Sequence, residues 1–254
     1  SYANEIGFAL EEISRMIKHV KQWASPKRVK TNQLINFWSK SKIYPEAYGK
    51  VLIISPWNYP INLSIAPIAA ALAAGNVICL NPSEYSTNTS TVLKDLIEKY
   101  FPDNSVSVFT GGPEISQKLL AKQWDFIFFT GSPAIGKIVM KAAAENMTPV
   151  CLELGGKSRV YVDKTANIDL AAKRIAYGKL LNSGQTCIAP DHVYVHVDVE
   201  KDFVKALKQH IRNFWGENPR EHADYPKIIN QTKANRLISL LDGVKYESIG
   251  ETGI

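Results

Sequence analysis

Between residues 50 and 153, short apolar runs alternate with amphipathic stretches, and this alternation restricts the possible folds more than any other feature of the chain. Five runs have the length of buried strands, and the four segments between them have helical periodicity. The predicted strands are 51–54, 77–80, 106–109, 126–129 and 150–152. The predicted helices are 60–74, 88–100, 113–122 and 133–145. Regular alternation of this kind predicts an α/β fold with a doubly wound, Rossmann-like parallel sheet.

The flanking segments have different patterns. Residues 4–24 carry a helical apolar stripe, and residues 33–50 are predicted to form an extended arm. After the sheet, a predicted strand at 192–197 and predicted helices at 200–214 and 233–241 indicate the start of a second α/β domain. We therefore predict domains at 1–153 and 154–254, the second one incomplete because the pattern is interrupted at Gly253-Ile254.

Composition excludes several classes of protein. Three cysteines, at 79, 151 and 187, lack metal-ligand spacing, and their odd number argues against a disulfide framework, so a reducing compartment is expected. No apolar run approaches the ~20 residues of a membrane span, and the first residues lack the apolar core of a signal peptide. The net charge of +6 comes from scattered Lys and Arg, which favours solvated helix faces over a nucleic-acid interface.

The polar loop at residues 182–190 contains a single cysteine, Cys187, among Asn, Ser, Gly, Gln and Thr. The loop follows a predicted helix that would present the cysteine outward. A soft nucleophile on a turn with small polar neighbours is typical of a covalent thiol catalyst. Most cysteines are small buried apolar residues, but these neighbours favour an exposed and reactive thiol.

One carboxylate, Glu153, interrupts the apolar run at residues 150–154 just before Gly155-Gly156. Leucine on both sides predicts partial desolvation, which would raise the pKa of the carboxyl group toward the range of a general base. The alternative is a glutamate on the solvated face of an edge strand. Together with Cys187, Glu153 suggests the base and the nucleophile of a covalent reaction.

Ligands of open parallel sheets bind outside the carboxyl ends of the strands. Four polar segments are predicted at this edge, beginning at Ser55, Asn81, Thr110 and Thr130. Gly131 would let the backbone approach a phosphate, and the helix that opens at Pro133 would offer free N–H groups and the positive end of its dipole. The Gly131–Gly136 spacing is not the usual dinucleotide fingerprint, and a simple strand-to-helix turn would have similar residues.

Four segments, in this order, resemble signature motifs of the aldehyde dehydrogenase superfamily. They are Pro56-Trp57-Asn58-Tyr59-Pro60, Phe129-Thr130-Gly131-Ser132 with Gly136, Glu153-Leu154-Gly155-Gly156-Lys157-Ser158 and Asn182-Ser183-Gly184-Gln185-Thr186-Cys187. The separation of Glu153 and Cys187 (187 − 153 = 34) also matches the family pattern. Ala189-Pro190-Asp191, and Pro67 nine positions after Asn58, are similar to the class three branch, which oxidises medium- and long-chain or aromatic aldehydes.

The resemblance implies an NAD(P)-dependent aldehyde dehydrogenase, with an NAD(P)-binding domain at 1–153 and the N-terminal part of a catalytic domain at 154–254. It implies three catalytic residues: Cys187 as the nucleophile, Glu153 as the base that activates water, and Asn58 as an oxyanion donor beside the Cys187 backbone N–H. A thiohemiacetal and then a thioester would form on Cys187. The residues implied to bind NAD or NADP are Ser55, Trp57, Asn81, Ser83, Glu84, Gly131, Ser132, Gly136, Leu154 and Gly155. No metal is implied.

The family also implies a small-molecule aldehyde substrate, a cytoplasmic location and a homodimer for the complete enzyme, without nucleic-acid partners or a membrane span in this chain. Its later Glu-x-Phe and dimer-completing segments are missing from this sequence, which predicts that the chain is a portion of such an enzyme. Two alternatives remain. One is an enzyme that transfers the acyl group to coenzyme A or phosphate, against which Glu153 argues. The other is a truncated, non-catalytic cofactor-binding fragment.

One position departs from the family pattern. Asn81 stands where a lysine is usual, three residues before Glu84, whose carboxylate is implied to bind the adenosine ribose hydroxyls. Asparagine retains hydrogen-bonding capacity but lacks the charge that favours a 2′-phosphate. We therefore predict that NAD binds at least as well as NADP.

Overall fold

The computed structural model of the protein describes residues 2–249, and the predicted interruption at Gly253-Ile254 lies outside them. The chain divides into two compact units, and the boundary falls between Leu154 and Gly155. The assignment of these units to cofactor binding and to catalysis remains a prediction.

Over residues 2–154, the first unit contains five α-helices and seven strands. Its helices are α1 (Gly7–Trp23), α2 (Asn62–Ala73), α3 (Thr87–Tyr100), α4 (Pro113–Leu120) and α5 (Pro133–Ala144). Its strands are β1 (Lys27–Val29), β2 (Ser41–Ile43), β3 (Lys50–Ser55), β4 (Val77–Pro82), β5 (Val106–Val108), β6 (Phe126–Thr130) and β7 (Val150–Glu153). A π-helical turn at Tyr2–Ile6 precedes α1, and a short 3₁₀ helix at Glu84–Ser86 precedes α3.

Strands β3 to β7 form one parallel sheet in the order β5-β4-β3-β6-β7. The predicted doubly wound α/β fold is confirmed. The chain first builds the sheet outward from β3 through β4 and β5, then returns to the other side of β3 with β6. This reversal places the topological switch point between β3 and β6, where ligands of such sheets bind.

Helices cover both faces of the sheet. Since successive side chains of a strand point to opposite faces, each central strand contributes to two separate core clusters. One core cluster joins Val51, Ile53 and Leu80 to α2 and α3 through Ile68 and Ile97. The other cluster lies on the opposite face and joins the sheet to α4 and α5; it contains Leu52, Cys79, Leu119, Leu120, Ile127, Phe129, Val139 and Ala143. Continuous apolar strands are what a sheet covered on both faces requires.

The arm differs from the predicted extended segment. Strands β1 and β2 pair antiparallel, and the chain turns between them, with the backbone N–H of Asn36 bonded to the carbonyl of Asn32 at 2.9 Å. The arm is therefore a short two-stranded ribbon. Its turn exposes apolar side chains, including Leu34 and Trp38, which are 97% and 84% exposed.

The second unit contains strands β8 (Ser158–Val162) and β9 (Pro190–Val195) and helices α6 (Ile168–Leu180), α7 (Glu200–Trp215) and α8 (Gln231–Ser239). The two strands are parallel, with Val160 opposite Val193. Their core includes Val162, Ala172 and Phe203, which come from β8, α6 and α7. The predicted strand near 192 and the two predicted helices are confirmed with shifted ends.

Among the described residues, none of the helices is both long and apolar enough to cross a membrane. In the same part of the chain, no group of three or more His, Cys, Asp or Glu side chains is placed to hold a metal ion.

Candidate active site

The segment after β3 leads directly into α2 and contains Trp57 and Asn58, both half-buried. Ser55, the last residue of β3, is 3% exposed, and its hydroxyl lies 2.7 Å from that of Ser64 in α2. The Ser55 side chain therefore joins the strand to the helix within the core and does not face solvent.

Glu5 supports the same segment. Its Oε2 accepts hydrogen bonds from the backbone N–H groups of Ile61 at 2.7 Å and Asn62 at 3.3 Å, at the start of α2. A carboxylate at a helix N-terminus satisfies free N–H groups and interacts favourably with the helix dipole. The π-helical turn is thus bonded to the C-terminal end of the segment 56–61, which contains Asn58. No sequence motif includes Glu5, because its partners lie more than fifty residues away in the chain.

At the end of β4, Asn81 and Glu84 have contrasting surroundings. Asn81 is 2% exposed; its Nδ2 donates to the Phe109 carbonyl at 2.8 Å, and its Oδ1 accepts from the Ser116 hydroxyl at 2.6 Å. Asn81 therefore connects β4 with the end of β5 and with α4, rather than presenting its amide at the surface. Glu84 is exposed, and half-buried Ser83 caps the 3₁₀ helix by accepting from the Tyr85 backbone N–H.

Gly131 follows β6, and its backbone N–H donates to the Glu153 carbonyl at 2.9 Å. A Cβ atom at Gly131 would lie 2.5 Å from the Phe129 ring, and one at buried Gly136 would lie 2.8 Å from Leu154. A side chain at either position would therefore require its neighbour to shift. Ser132 is exposed and caps α5, its hydroxyl accepting from the Ile135 backbone N–H.

Glu153 is the last residue of β7, an edge strand, and is exposed. The expected desolvation by its leucine neighbours is wrong. Leu152 and Leu154 pack against the core of the sheet, whereas the intervening side chain points the other way because strand side chains alternate. Glu153 therefore lies on the solvated side of an edge strand, which was the alternative to partial desolvation.

Cys187 lies in the second unit, where its side chain is exposed, as predicted. The chain leaves α6 through two consecutive left-handed residues, Asn182 and Ser183, both at φ 52° and ψ 34°. This conformation costs roughly 1–2 kcal/mol for most L-residues, so it needs support from surrounding contacts. A further turn follows, closed by a bond from the Ala189 N–H to the Thr186 carbonyl at 3.1 Å. Cys187 lies within that turn.

The glycine pair after β7 contacts this loop. Gly155 is exposed at the start of the second unit. A Cβ atom at Gly156 would lie 2.7 Å from the Cys187 carbonyl oxygen. Only glycine allows this approach without a shift, so Gly156 fixes the backbone beside the cysteine. In the sequence, Gly156 is recognisable only as part of the motif Glu153–Ser158, because its contact with Cys187 depends on the fold.

Chemical labelling should distinguish the three cysteines. Alkylation requires the thiolate, and burial raises the pKa of the Cys79 thiol to about 12, which disfavours its thiolate at pH 8. Cys151 is half-buried in β7. We expect iodoacetamide to modify Cys187 first in the native protein, as measured by peptide mass spectrometry. Earlier labelling of Cys79 or Cys151 would contradict this assignment of the reactive thiol.

The described residues form an α/β chain with a parallel sheet in its first unit and an exposed thiol in its second. The family model described as "Aldehyde dehydrogenase family" matches residues 2–249. The chain belongs to the aldehyde dehydrogenase family.

Individual relatives agree with this assignment. A Staphylococcus aureus protein named 4,4'-diaponeurosporen-aldehyde dehydrogenase is 46% identical over 98% of the chain and 54% of its own length. The mouse "Aldehyde dehydrogenase, dimeric NADP-preferring" is 44% identical over 96% of the chain and 54% of its length. The class three resemblance is confirmed: "Aldehyde dehydrogenase family 3 member A2" of Macaca fascicularis is 42% identical over 99% of the chain and 52% of its own length.

Among solved structures, the substrate-bound state of Staphylococcus aureus AldH superposes with a TM-score of 0.90 at 46% identity. The superposition covers 95% of this chain and 52% of that one. The chain therefore spans about half the length of the curated relatives that it matches.

Proposed function

We propose that the protein oxidises an aldehyde to a carboxylic acid with NAD or NADP. The observation that carries this proposal is the exposed Cys187 in a constrained turn, in a chain of the aldehyde dehydrogenase family. On this proposal the first unit binds the cofactor and the second contributes the nucleophile. Assembly as a homodimer belongs to the same proposal, because the mouse relative is named as dimeric.

The groups at the carboxyl edge of the sheet fit a dinucleotide. Glu84 presents an exposed carboxylate that can accept hydrogen bonds from ribose hydroxyls, and the exposed N-terminus of α5 at Ser132 suits a pyrophosphate. Glu84 follows β4 and Ser132 follows β6, on the two sides of β3. NAD(P), when bound, supplies the two-electron acceptor for the oxidation of the aldehyde.

In the proposed chemistry, the Cys187 thiolate adds to the carbonyl carbon, and the carbonyl oxygen becomes negatively charged. The Asn58 side-chain amide and the Cys187 backbone N–H are the proposed donors to that oxygen, which would stabilise the developing charge. Loss of the aldehyde hydrogen with its electron pair leaves a thioester on Cys187. Glu153 then takes a proton from water, the hydroxide adds to the thioester, and the acid is released as the thiolate leaves.

The proposed substrate is an apolar aldehyde of medium or long chain, or an aromatic one. Ile188, next to the nucleophile, is apolar and 78% exposed. The Staphylococcus aureus relative is named as a dehydrogenase of 4,4'-diaponeurosporen-aldehyde.

The full-length protein should form NAD(P)H with dodecanal or benzaldehyde and release the free acid, which chromatography would identify. Addition of coenzyme A or phosphate should leave the product unchanged. An acyl-coenzyme A or acyl phosphate product would instead establish the acyl-transfer alternative, and the absence of oxidation of either aldehyde would contradict the proposal.

Cofactor preference provides a separate prediction. Since Asn81 is neutral and buried and Glu84 is exposed, a 2′-phosphate would meet a carboxylate. We expect NAD to bind at least as tightly as NADP in titrations followed by tryptophan fluorescence, and Glu84→Gln to improve NADP binding relative to NAD by about tenfold. Glu98→Gln, on the exposed side of α3, is the matched control. A clear preference for NADP would instead indicate a cation near the phosphate, such as Lys118 or Lys137.

A further inference from the structure

The loop that carries Cys187 is attached to a segment far along the chain. Gln185 Nε2 donates to the Lys227 carbonyl at 3.2 Å, and Gln185 Oε1 accepts from the Ile229 backbone N–H at 3.0 Å. The same Nε2 donates to the Asn182 carbonyl at 3.1 Å, within the loop. One side chain therefore joins the left-handed start of the loop to the segment 226–229.

A second hydrogen bond reinforces the attachment. The Ser183 hydroxyl donates to the carbonyl of Pro226. The loop 182–189 and the segment 226–229 are therefore joined through Ser183 as well as through Gln185. Since Ser183 is itself left-handed, this contact supports a backbone conformation that is unfavourable without it.

The segment 226–229 is held on both sides. Tyr225, just before it, packs edge-to-face on Trp215 at the end of α7, with ring centroids 4.9 Å apart. Asn230, just after it, caps α8 by accepting from the Lys233 backbone N–H at 2.9 Å. The residues that flank the segment 226–229 thus hold it between α7 and α8.

We propose that Gln185 is a positioning residue for the Cys187 nucleophile, because its side-chain amide locks the loop 182–189 onto the segment 226–229. The inference rests on the proposed function for its catalytic consequence. The contacts require an amide of this length: two carbonyl oxygens need a donor and one N–H needs an acceptor. A carboxylate could accept from Ile229 but would repel both carbonyl oxygens.

The test compares Gln185→Glu with Gln209→Glu in the full-length protein. Both variants introduce the same charge, and Gln209 lies on the exposed side of α7, where its Nε2 donates to Asn213 Oδ1 at 2.8 Å. We expect kcat at pH 8 to fall about 10²-fold in Gln185→Glu, since small displacements of a reacting group have effects of that size. The KM for dodecanal and the Kd for NAD should stay within about twofold of wild type, because substrate and cofactor binding are not being altered.

The pH dependence separates positioning from a general structural effect. A protonated carboxyl group can donate to one carbonyl while still accepting from the Ile229 N–H, and its neighbours favour that neutral form over the charged one. The ratio of variant to wild-type kcat should therefore rise as the pH falls from 8 toward 5.5. The same ratio for Gln209→Glu should stay flat and near one.

Hydrogen exchange tests the loop without reference to activity. In Gln185→Glu, the amides of residues 182–189 and of Ile229 should exchange about tenfold faster, and those of α6 and α7 should be unchanged. Unchanged exchange, unchanged kcat despite faster exchange, or a pH-independent loss of kcat would each overturn the proposal. If the wild type oxidises no aldehyde, the proposed function fails independently of this inference. The rate of Cys187 alkylation, compared between Gln185→Glu and wild type, then decides whether Gln185 positions the thiol.

Discussion

Replacement of Cys187 by alanine in the full-length protein is expected to lower kcat for aldehyde oxidation by at least about 10⁴-fold, since removal of a covalent nucleophile eliminates the route through the thioester. Cofactor binding should be unaffected, because the predicted cofactor residues lie mostly in the first unit. Steady-state NAD(P)H formation and a fluorescence titration with NAD would measure the two effects separately.

Cys151→Ala is the matched control for the loss of a thiol. Cys151 lies in β7 and has no role in the proposed chemistry, so its variant should retain activity within a few-fold of wild type. Residual activity of Cys187→Ala above about a tenth of wild type would show that the nucleophile lies elsewhere, because such losses are much larger when the reacting group itself is removed.

Replacement of Glu153 by glutamine is expected to separate acylation from deacylation. The variant should form one equivalent of NAD(P)H per active site and then slow down by about 10²–10⁴-fold, which is the usual contribution of a general base. Stopped-flow absorbance would record the initial burst, and intact-protein mass spectrometry should detect the acyl group on the protein.

The control for this change is Glu145→Gln, which removes an exposed carboxylate at the end of α5 in the same unit. It should show neither a burst nor a loss of turnover. Steady-state turnover of Glu153→Gln equal to that of wild type would remove Glu153 from the mechanism.

The fold of the first unit could be predicted because each buried strand is a continuous apolar run. The ends of the strands could not. Strand β4 continues through Asn81 and Pro82, where the apolar pattern has already stopped, because the register with β3 continues through Ser55. The sequence pattern did not delimit strand β8 or helix α6. In β8, exposed Arg159 and Tyr161 lie on either side of Val160, and the pairing with β9 makes the strand part of a core.

The motifs identified the candidate residues but not what holds them. The partners of Gln185 lie 42 and 44 residues further along the chain, and no local pattern links them. The exposure of Glu153 was misjudged for a related reason, since its sequence neighbours in a strand occupy the opposite face. The exposure of Cys187 was predicted correctly, because the small polar residues around it are typical of a turn at the surface.

The burial of Asn81 has an evolutionary consequence. A change of Asn81 to the lysine usual in the family would leave the Phe109 carbonyl and the Ser116 hydroxyl without their present partner. Substitutions at positions 81 and 116 are therefore expected to be non-additive, as for residues that share a hydrogen bond. The effect of a substitution at position 81 on cofactor preference would therefore depend on which residue of α4 stands at position 116. A substitution at exposed Glu84 would not need a second change in α4.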